Sequence, residues 1–528
     1  MSEAERRLQA LLQAGGPALL LDGHLGVERE GLRVTADGRL APTLHPAALG
    51  SPLTHPHITT DYAEPLLELI TPPLGTETAV LDFLDRLHRF VHAHLGDELI
   101  WPYSMPCCPE DEDDIPLARY GRSNLGRMKT VYRHGLGLRY GRKMQIIAGV
   151  HVNFSMDEAF WRALQAADRD DRAPRDYRSE AYLGQVRNLQ RLGWLVAYLF
   201  GASPAVCEHF MDAAKLAHLR PVAPRTLAEP HATSLRLGDI GYQNRQECAS
   251  GFKAVYNDLS GYVASLTRAI TTPCEHYARL GVRDGERFLQ LNDHILQIEN
   301  EYYASVRPKP HLAGPLEMPV RALAARGVAY VELRALDLDP DAPLGLDATT
   351  LRFLRLFFLH CLLADSPPIG PEEAEAIDRN QTLAAHRGRE PGLTLDGPEG
   401  PRPLRDWGLE IMDRIAPLAE ALDRHQGGDA YRQTLAAQRE KLRDPERTPS
   451  AHLLQRLGAG RSLAELGLDL ARGHRAHLRS RPLDPEDHAQ LQRLAQESLT
   501  RQARLEARDT LSFEAFLTRY FAQLQPSV

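Results

Sequence analysis

The chain has few cysteines and none in a CxxC pair. Six cysteines stand among 528 residues, at positions 107, 108, 207, 248, 274 and 361. Disulfide frameworks are typical of short secreted chains, and a structural zinc module needs closely spaced cysteine or histidine pairs. The sequence therefore predicts ordinary reduced thiols, the adjacent Cys107 and Cys108 included.

Long hydrophobic runs and an excess of basic charge are also missing. The most apolar stretches, GWLVAYLFGA and LRFLRLFFLHCLLA, are too short or too charged to cross a bilayer, and the N-terminal MSEAERRLQALLQAGG has no apolar stretch of signal-peptide type. The formal net charge is -8, whereas binding to nucleic acid requires concentrated basic charge. These absences predict a cytoplasmic protein with no membrane anchor and no nucleic-acid partner.

The common catalytic and phosphate-binding motifs do not occur. GRSNLGRMK, at 121–129, has glycines at P-loop spacing but carries Arg127 and Met128 where Lys and Ser or Thr are required, and GAGRSL, at 458–463, lacks the third glycine of a dinucleotide fingerprint. Neither a GxSxG elbow nor an HExxH helix is present. If ATP binds, metal ions and arginines must hold it.

The pattern of elements predicts an α+β fold. Strand-like and helix-like segments are mixed to about residue 360 without a β-α-β cadence, which favours an antiparallel sheet. Two Pro/Gly-rich stretches, DSPPIGPEE and EPGLTLDGPEGPRPL, precede a region with helical spacing. We predict a catalytic core with a short N-terminal helix over 1–365, a connecting segment packed on the core over 366–404 and a helical C-terminal region over 405–528.

What the sequence does contain is a set of polar faces on strand-like segments. In LGVEREGLRV, residues 25–34, two rises of roughly 3.3 Å put Glu28 and Glu30 about 6 to 7 Å apart on one face. Such a pair can bind neighbouring hard cations such as Mg²⁺. Taken alone, an ExE pattern is more often a solvated strand face.

Two further strand-like segments carry compatible side chains. AGVHVNFS places His151 and Asn153 on one face, and VAYVELRAL does the same with Glu332 and Arg334. An arginine beside a carboxylate suits an anion next to a metal ion. Taken alone, a histidine such as His151 is more often a core residue whose hydrogen bonds are satisfied within the protein. Likewise, a pair such as Glu332 and Arg334 is more often a structural ion pair.

The segment ITTDYAEPLLELITPP supplies three more carboxylates, those of Asp61, Glu64 and Glu68. Its secondary structure is ambiguous, because Pro65 argues against a helix whereas the spacing of Glu64 and Glu68 fits one. Together with the other polar-faced segments it points to a metal site built from several strands.

These segments, read in order, resemble a known family. GVEREGLRV, TTDYAEPLLELITP, WPYSMPC, GVHVNFS, YLFGASPAVC, TSLRLGDIGY, LQIENEYYASVRPKP and YVELRALDLDP resemble the proteobacterial glutamate–cysteine ligases over about residues 20 to 400. The resemblance implies a fold similar to that of glutamine synthetase, in which a curved, mainly antiparallel sheet forms an active-site funnel. It also implies ATP-dependent joining of the γ-carboxyl of L-glutamate to the amine of L-cysteine through a γ-glutamyl phosphate, the first step of glutathione biosynthesis, with feedback inhibition by glutathione.

The resemblance also assigns site residues. It implies that Mg²⁺ or Mn²⁺ is bound by one cluster of Glu28, His151 and Glu332 and another of Glu30, Asp61 and Glu68, and that Arg133 and Arg334 act at the ATP phosphates. For the cysteine substrate it implies contacts with Tyr62, Tyr132, Leu136, Gln145, Arg236, Tyr242 and Tyr303. Tyr62 stands where one member of the family has phenylalanine, so selectivity among cysteine analogues is open at this position.

Three alternatives fit the same residues. A carboxylate–amine ligase of the same fold would join glutamate to an amino acid other than cysteine. A two-metal hydrolase would use the same carboxylates and histidine to activate water without ATP. A catalytically silent protein would bind nucleotide or glutamate without turnover.

Overall fold

The computed structural model describes residues 2–106, 111–241 and 252–524. The strands are β1 (Gly23–Val34), β2 (Ile58–Thr60), β3 (Leu66–Ile70), β4 (Leu99–Ile100), β5 (Val150–Met156), β6 (Ala205–Cys207), β7 (Arg220–Ala223), β8 (Thr226–Ala228), β9 (Arg283–Asp284), β10 (Arg287–Phe288), β11 (Val306–Lys309), β12 (Tyr330–Leu336), β13 (Thr394–Gly397) and β14 (Gly400–Pro403). They form one large sheet and three small ones.

The helices enclose the large sheet. They are α1 (Glu3–Gly15), α2 (Ala18–Leu21), α3 (Glu77–His94), α4 (Asn124–Tyr140), α5 (Arg142–Gln145), α6 (Glu158–Asp168), α7 (Pro174–Arg191), α8 (Gly193–Phe200), α9 (Ala213–Leu216), α10 (Leu259–Thr271), α11 (Glu275–Leu280), α12 (Pro319–Arg326), α13 (Ala348–Leu363), α14 (Pro371–Arg387), α15 (Leu404–Gln426), α16 (Ala430–Arg443), α17 (Pro449–Leu457), α18 (Leu463–Arg479), α19 (Pro485–Arg508) and α20 (Phe513–Phe521). Among the described residues, no helix has the length and apolar character needed to cross a membrane.

The large sheet is antiparallel. Its strands lie in the order β11-β12-β5-β1-β3-β2, and β4 pairs with the end of β1. The three segments predicted as strands from their alternation are β1, β5 and β12, and they are neighbours in this sheet. The predicted α+β class is confirmed.

The ambiguous segment around Asp61 forms two short strands. β2 and β3 pair antiparallel, with Thr59 opposite Glu68, and the Asp61 N–H donates to the carbonyl of Leu66 at 3.0 Å. Pro65 therefore lies in a hairpin turn and interrupts no helix. The Glu64 carboxylate accepts backbone N–H groups of His45 and Arg119, each at 2.8 Å, which gives it a structural role apart from Glu68.

Helix α13 lies at the centre of the hydrophobic core. Phe358 stacks on Phe154 of β5 with ring centroids 4.8 Å apart. On the same helix, Arg355 forms a buried ion pair with Glu77 at the start of α3, at 2.5 Å. These contacts hold α13 against the sheet and against α3, since buried aromatic packing and a paired buried charge are both costly to displace.

The C-terminal helices pack directly on elements of the core. α15 contacts α13, α18 contacts α3 and β4, and α20 contacts α4. Residues 366–404 contain α14 and the β13–β14 hairpin, and α14 packs on α8. The division at 365 and 404 stays a prediction, because these contacts join the segments on either side.

The cysteines differ in part from expectation. Cys361 is a free, buried thiol, and burial raises its pKa. Cys207 and Cys274 are disulfide-bonded, so the prediction of reduced thiols is wrong at these two positions. Spacing along a chain does not show which cysteines the fold brings together. Cys107, Cys108 and Cys248 lie outside the described residues.

Candidate active site

Strand register places the predicted carboxylates on one face of the large sheet. Glu28 lies opposite His151 across β1 and β5, and Glu30 lies opposite Glu68 across β1 and β3. On the other side of β5, Glu332 is the partner of Asn153. Since side chains of directly opposed residues point to the same face, adjacent strands build a continuous polar surface.

Glu28, His151 and Glu332 form a compact group of potential metal ligands. Each offers one ligand atom, and these atoms all lie within 4.8 Å of one another. His151 Nδ1 is 3.3 Å from Glu28 Oε2, and its Nε2 is 3.4 Å from Glu30 Oε1. Asn153 Nδ2 donates to Glu28 Oε1 at 2.9 Å. The side chain of Glu28 is thus oriented by two residues of β5.

The charges around this group hold its carboxylates ionised. Burial alone raises the pKa of Glu332, but the positive charges of Lys309, Arg334 and Arg307 bring it well below the usual range. Burial also raises the pKa of Glu28, but the hydrogen bond from His151 and the positive charges of His151 and Lys309 together bring it below the ordinary value. Ionised carboxylates are the form that binds Mg²⁺.

Glu30, Asp61 and Glu68 form a second concentration of negative charge. Burial, followed by the charges of Glu28, Asp61 and Glu30, raises the pKa of Glu68 well above its ordinary value. Burial also raises the pKa of Glu30, and the charge of Asp61 adds to that effect. Their ligand atoms do not form a triple within 4.8 Å, in contrast to the first group.

The positive side of the site comes from β11 and β12. Arg334 NH1 lies 3.6 Å from Glu332 Oε2 and 3.4 Å from His151 Nδ1. Arg307 is the register partner of Glu332, and Lys309 Nζ is 3.4 Å from Glu332 Oε1. Arg307 and Lys309 were not predicted from the sequence. The alternation in VRPK, which aligns both side chains, was the signal that could have found them.

Helix α4 brings further cations to the Asp61 end. Arg133 Nε donates to the carbonyl oxygen of Asp61, and its guanidinium lies 4.6 Å from the ring centroid of Tyr120. Lys129, also missed from the sequence, lies 5.2 Å from the same ring. Burial and then the charge of Arg133 lower the pKa of Lys129 to about 8. Arg133 and Arg334 thus reach the carboxylates from opposite edges.

Three of the residues predicted for the cysteine pocket meet at α4. Tyr132 and Leu136 are one turn apart on this helix and half-buried. Tyr62 is buried, and its hydroxyl reaches α4, where a Cβ on Gly137 would lie 2.5 Å from it. The Tyr62 hydroxyl has no hydrogen-bond partner within the described ranges.

The remaining pocket residues approach from other elements. Arg236 is buried in the single turn of 3₁₀ helix at Leu235–Leu237, and its NH2 donates to the carbonyl of Arg334 at 2.9 Å. Its Nε and Nη1 make no hydrogen bond to the part of the chain that is described, but Nη1 is 3.6 Å from the buried Asp337 Oδ1. Gln145 is buried at the end of α5, and Tyr303 is half-buried before β11. Tyr242 lies outside the described residues.

The segment with P-loop glycine spacing is the start of α4, and its backbone donors are occupied. The N–H of Arg122 donates to Glu506 Oε1 at 2.8 Å, and the N–H of Asn124 donates to the Asp509 carboxylate. Ser123 caps the helix through Gly126. A phosphate could not use these groups without displacing two carboxylates.

Comparison with known proteins identifies the chain. The family model for glutamate–cysteine ligase matches residues 8–384. The glutamate–cysteine ligase of Azotobacter vinelandii is 48% identical over 99% of both chains, and that of Alcanivorax borkumensis is 46% identical over 99% of this chain and 100% of its own. The crystal structure of a Francisella tularensis glutamate–cysteine ligase in complex with AMP superposes with a TM-score of 0.88 at 34% identity, covering 95% of this chain and 97% of that one.

The fold, the carboxylate-lined sheet and these relatives define an enzyme of the ligase class. Within that class the chain belongs to the glutamate–cysteine ligase family.

Proposed function

We propose that the chain joins the γ-carboxyl of L-glutamate to the amine of L-cysteine with consumption of ATP, as the first step of glutathione biosynthesis. The observation that carries this proposal is the group of Glu28, His151 and Glu332 with Arg334 beside it on one sheet face. Family membership supports the substrates, since the relatives are named for that reaction and one is complexed with AMP.

The residues on this face fit Mg²⁺ or Mn²⁺. Glu332 Oε2 and Asn153 Oδ1 are buried oxygens without a hydrogen-bond partner among the described residues, and buried acceptors of this kind are costly unless a cation or donor satisfies them. Glu28, His151 and Glu332 would hold one ion, and Glu30, Asp61 and Glu68 would hold another. When bound, these ions neutralise and align the phosphates of ATP.

The protein's own cations complete the charge balance. A carboxylate is a poor electrophile, so it must be activated before an amine can attack it. A γ-carboxylate oxygen of glutamate therefore attacks the terminal phosphorus of ATP, ADP leaves, and γ-glutamyl phosphate forms. Arg334 and Arg133 stand at opposite ends of the carboxylate face, where they can pair with the transferring phosphoryl group. Lys309 and Arg307 keep Glu332 ionised during this step.

The second step uses the pocket beside α4. The cysteine amine attacks the acyl carbon of the γ-glutamyl phosphate, phosphate leaves and the amine loses a proton. The buried guanidinium of Arg236 offers the cysteine carboxylate two nitrogens that make no hydrogen bond among the described residues, of which Nη1 is 3.6 Å from Asp337 Oδ1. Tyr62, Tyr132 and Leu136 supply the apolar wall expected around a thiol side chain. Gln145, Tyr242 and Tyr303 stay predicted contacts, as do feedback inhibition by glutathione and a cytoplasmic location.

The test is phosphate release from ATP in the presence of Mg²⁺ and L-glutamate, with and without L-cysteine, with the products followed by mass. We expect release to depend on cysteine and γ-glutamylcysteine to accumulate. L-serine in place of cysteine is the matched control. Turnover with L-serine equal to that with cysteine would favour the related ligase, and metal-dependent hydrolysis without ATP would favour the hydrolase.

A further inference from the structure

A second group of metal-ligand side chains lies away from the carboxylate face. It consists of His218 between α9 and β7, Asp239 after the 3₁₀ turn at Leu235–Leu237, and His386 near the end of α14. The ligand atoms of these three residues lie within 4.8 Å of one another. None of these residues belongs to the candidate active site, so a ligand bound here is independent of the proposed reaction.

Glu229 lies behind the two histidines and orients them. Its Oε2 is 2.9 Å from His386 Nδ1, and its Oε1 is 3.3 Å from His218 Nε2. A carboxylate that accepts the proton of one imidazole nitrogen fixes the tautomer and leaves the other nitrogen as a ligand. In His386 that other nitrogen is Nε2, which lies 3.0 Å from Asp239 Oδ1.

Gly238 allows the loop to approach this imidazole. A Cβ at position 238 would lie 2.1 Å from His386 Nε2, a distance that no side chain permits. The N–H of Asp239 donates to the same nitrogen at 3.1 Å. The Nε2 side of the ring is thus turned toward Asp239, and an ion would replace that N–H as the partner of Nε2.

We propose that His218, Asp239 and His386 bind a divalent transition-metal ion, with Zn²⁺ as the best-fitting member of this class. Two imidazoles and a carboxylate are ligands that favour Zn²⁺, Co²⁺ or Ni²⁺ over Mg²⁺, which prefers oxygen. The side chains of His218 and Asp239 are 39% and 60% exposed, which gives the ion a path from solvent and leaves room for water as a fourth ligand.

An ion at this position would stabilise the folded chain. It would join three segments distant in sequence, one of which carries Arg236 three residues before Asp239. An ion that binds the native chain and not the unfolded chain raises the midpoint of thermal unfolding. We therefore expect Zn²⁺ to raise the melting temperature of the protein at saturating Mg²⁺.

The experiment uses the full-length protein, stripped with EDTA and returned to buffer with saturating Mg²⁺ so that oxygen-ligand sites are filled. Co²⁺ is added, binding is followed by equilibrium dialysis and visible absorption, and Zn²⁺ is then added as competitor. We expect one equivalent of Co²⁺ with the absorption of a tetrahedral complex, displaced by Zn²⁺. His218→Ala and His386→Ala should each weaken binding by about 100-fold or more.

Two controls separate this site from others. His209→Ala removes an exposed histidine that lies 3.3 Å from Glu208 but outside the group. Glu332→Gln alters the candidate active site. Both variants should still bind one equivalent of Co²⁺. His218→Gln changes an exposed side chain and preserves the fold, so it serves if His386→Ala does not fold. Wild-type Co²⁺ affinity in His218→Gln, or no bound equivalent in the wild-type protein, would overturn the proposal.

Discussion

Glu28 and His151 are register partners on adjacent strands, and their side chains meet at 3.3 Å. Asn153, two residues along β5, holds the other oxygen of the Glu28 carboxylate at 2.9 Å. The carboxylate is therefore oriented by strand pairing before any ligand binds, which lowers the cost of forming a metal site.

Glu332→Gln should remove most of the activity while the protein stays folded. The substitution keeps the shape of the side chain but removes the negative charge that Arg334 and Lys309 surround. We expect kcat to fall by roughly 100-fold or more, measured by phosphate release across a titration with Mg²⁺. Glu299→Gln, a buried glutamate outside the site, is the matched control. Wild-type turnover of Glu332→Gln at saturating Mg²⁺ would show that the metal cluster is misplaced.

The metal-free protein should lose stability as pH rises above the ordinary pKa of glutamate. The folded pKa of Glu68 is raised by burial and by neighbouring carboxylates, so the folded state keeps a proton that the unfolded chain releases. This stabilisation is complete below the unfolded pKa and is lost as pH rises through the folded pKa. Glu28 and Glu332, whose pKa values are lowered, act in the opposite direction, below the ordinary carboxyl pKa.

The measurement is the melting temperature in EDTA and in Mg²⁺ over a pH series. Glu68→Gln should flatten the decline seen in EDTA above the ordinary carboxyl pKa, and Mg²⁺ should stabilise the wild-type protein more as pH rises. Identical pH dependence of Glu68→Gln and wild type in EDTA would contradict the prediction.

Arg236→Lys should raise the KM for cysteine and leave the KM for ATP nearly unchanged. Lysine keeps the charge but cannot present two nitrogens in a plane, as Nε and Nη1 do, which make no hydrogen bond in the described structure; Nη1 is 3.6 Å from Asp337 Oδ1. A lost charge-assisted hydrogen bond of about 1.5 to 3 kcal/mol corresponds to a rise of roughly 10- to 150-fold. Equal rises in both KM values would instead indicate a general disturbance through the Arg334 carbonyl.

Tyr62→Phe should stabilise the substrate-free protein or leave its stability unchanged. The hydroxyl is buried without a partner among the described residues, and such a group costs on the order of 1 to 3 kcal/mol. Urea unfolding measures this change, and competition between cysteine and its analogues measures selectivity. A loss of more than about 1 kcal/mol on substitution would show that the hydroxyl is satisfied in solution.

The alternation of apolar and polar residues predicted three strands of the site, but it predicted neither the short β2–β3 hairpin nor which strands pair. β1, β5 and β12 could be recognised because their side chains alternate with period two. The hairpin at β2 and β3 could not, because strands this short around Pro65 carry little periodic signal. Which strands pair is set by contacts between distant segments, so the closeness of Glu28 to His151 was available only from family resemblance.

Residues without a local pattern were missed for the same reason. Lys129 lies on a helix whose sequence shows little amphipathic pattern, and its proximity to the carboxylates depends on how α4 packs. That Cys207 and Cys274 are each disulfide-bonded, and that His218 lies close to His386, likewise follow from tertiary structure.

The contacts between α19 and the start of α4 determine when the site can be completed during synthesis. Arg122 and Asn124 bind carboxylates of Glu506 and Asp509, and the turn before β2 is held by Ser498 through Ser51. Because α4 carries Arg133 and β2 leads to Asp61, the Asp61 end of the carboxylate face acquires these supports only after nearly the whole chain has left the ribosome. A nascent chain that already contains every candidate site residue therefore still lacks the bonds that hold this end of the site in place.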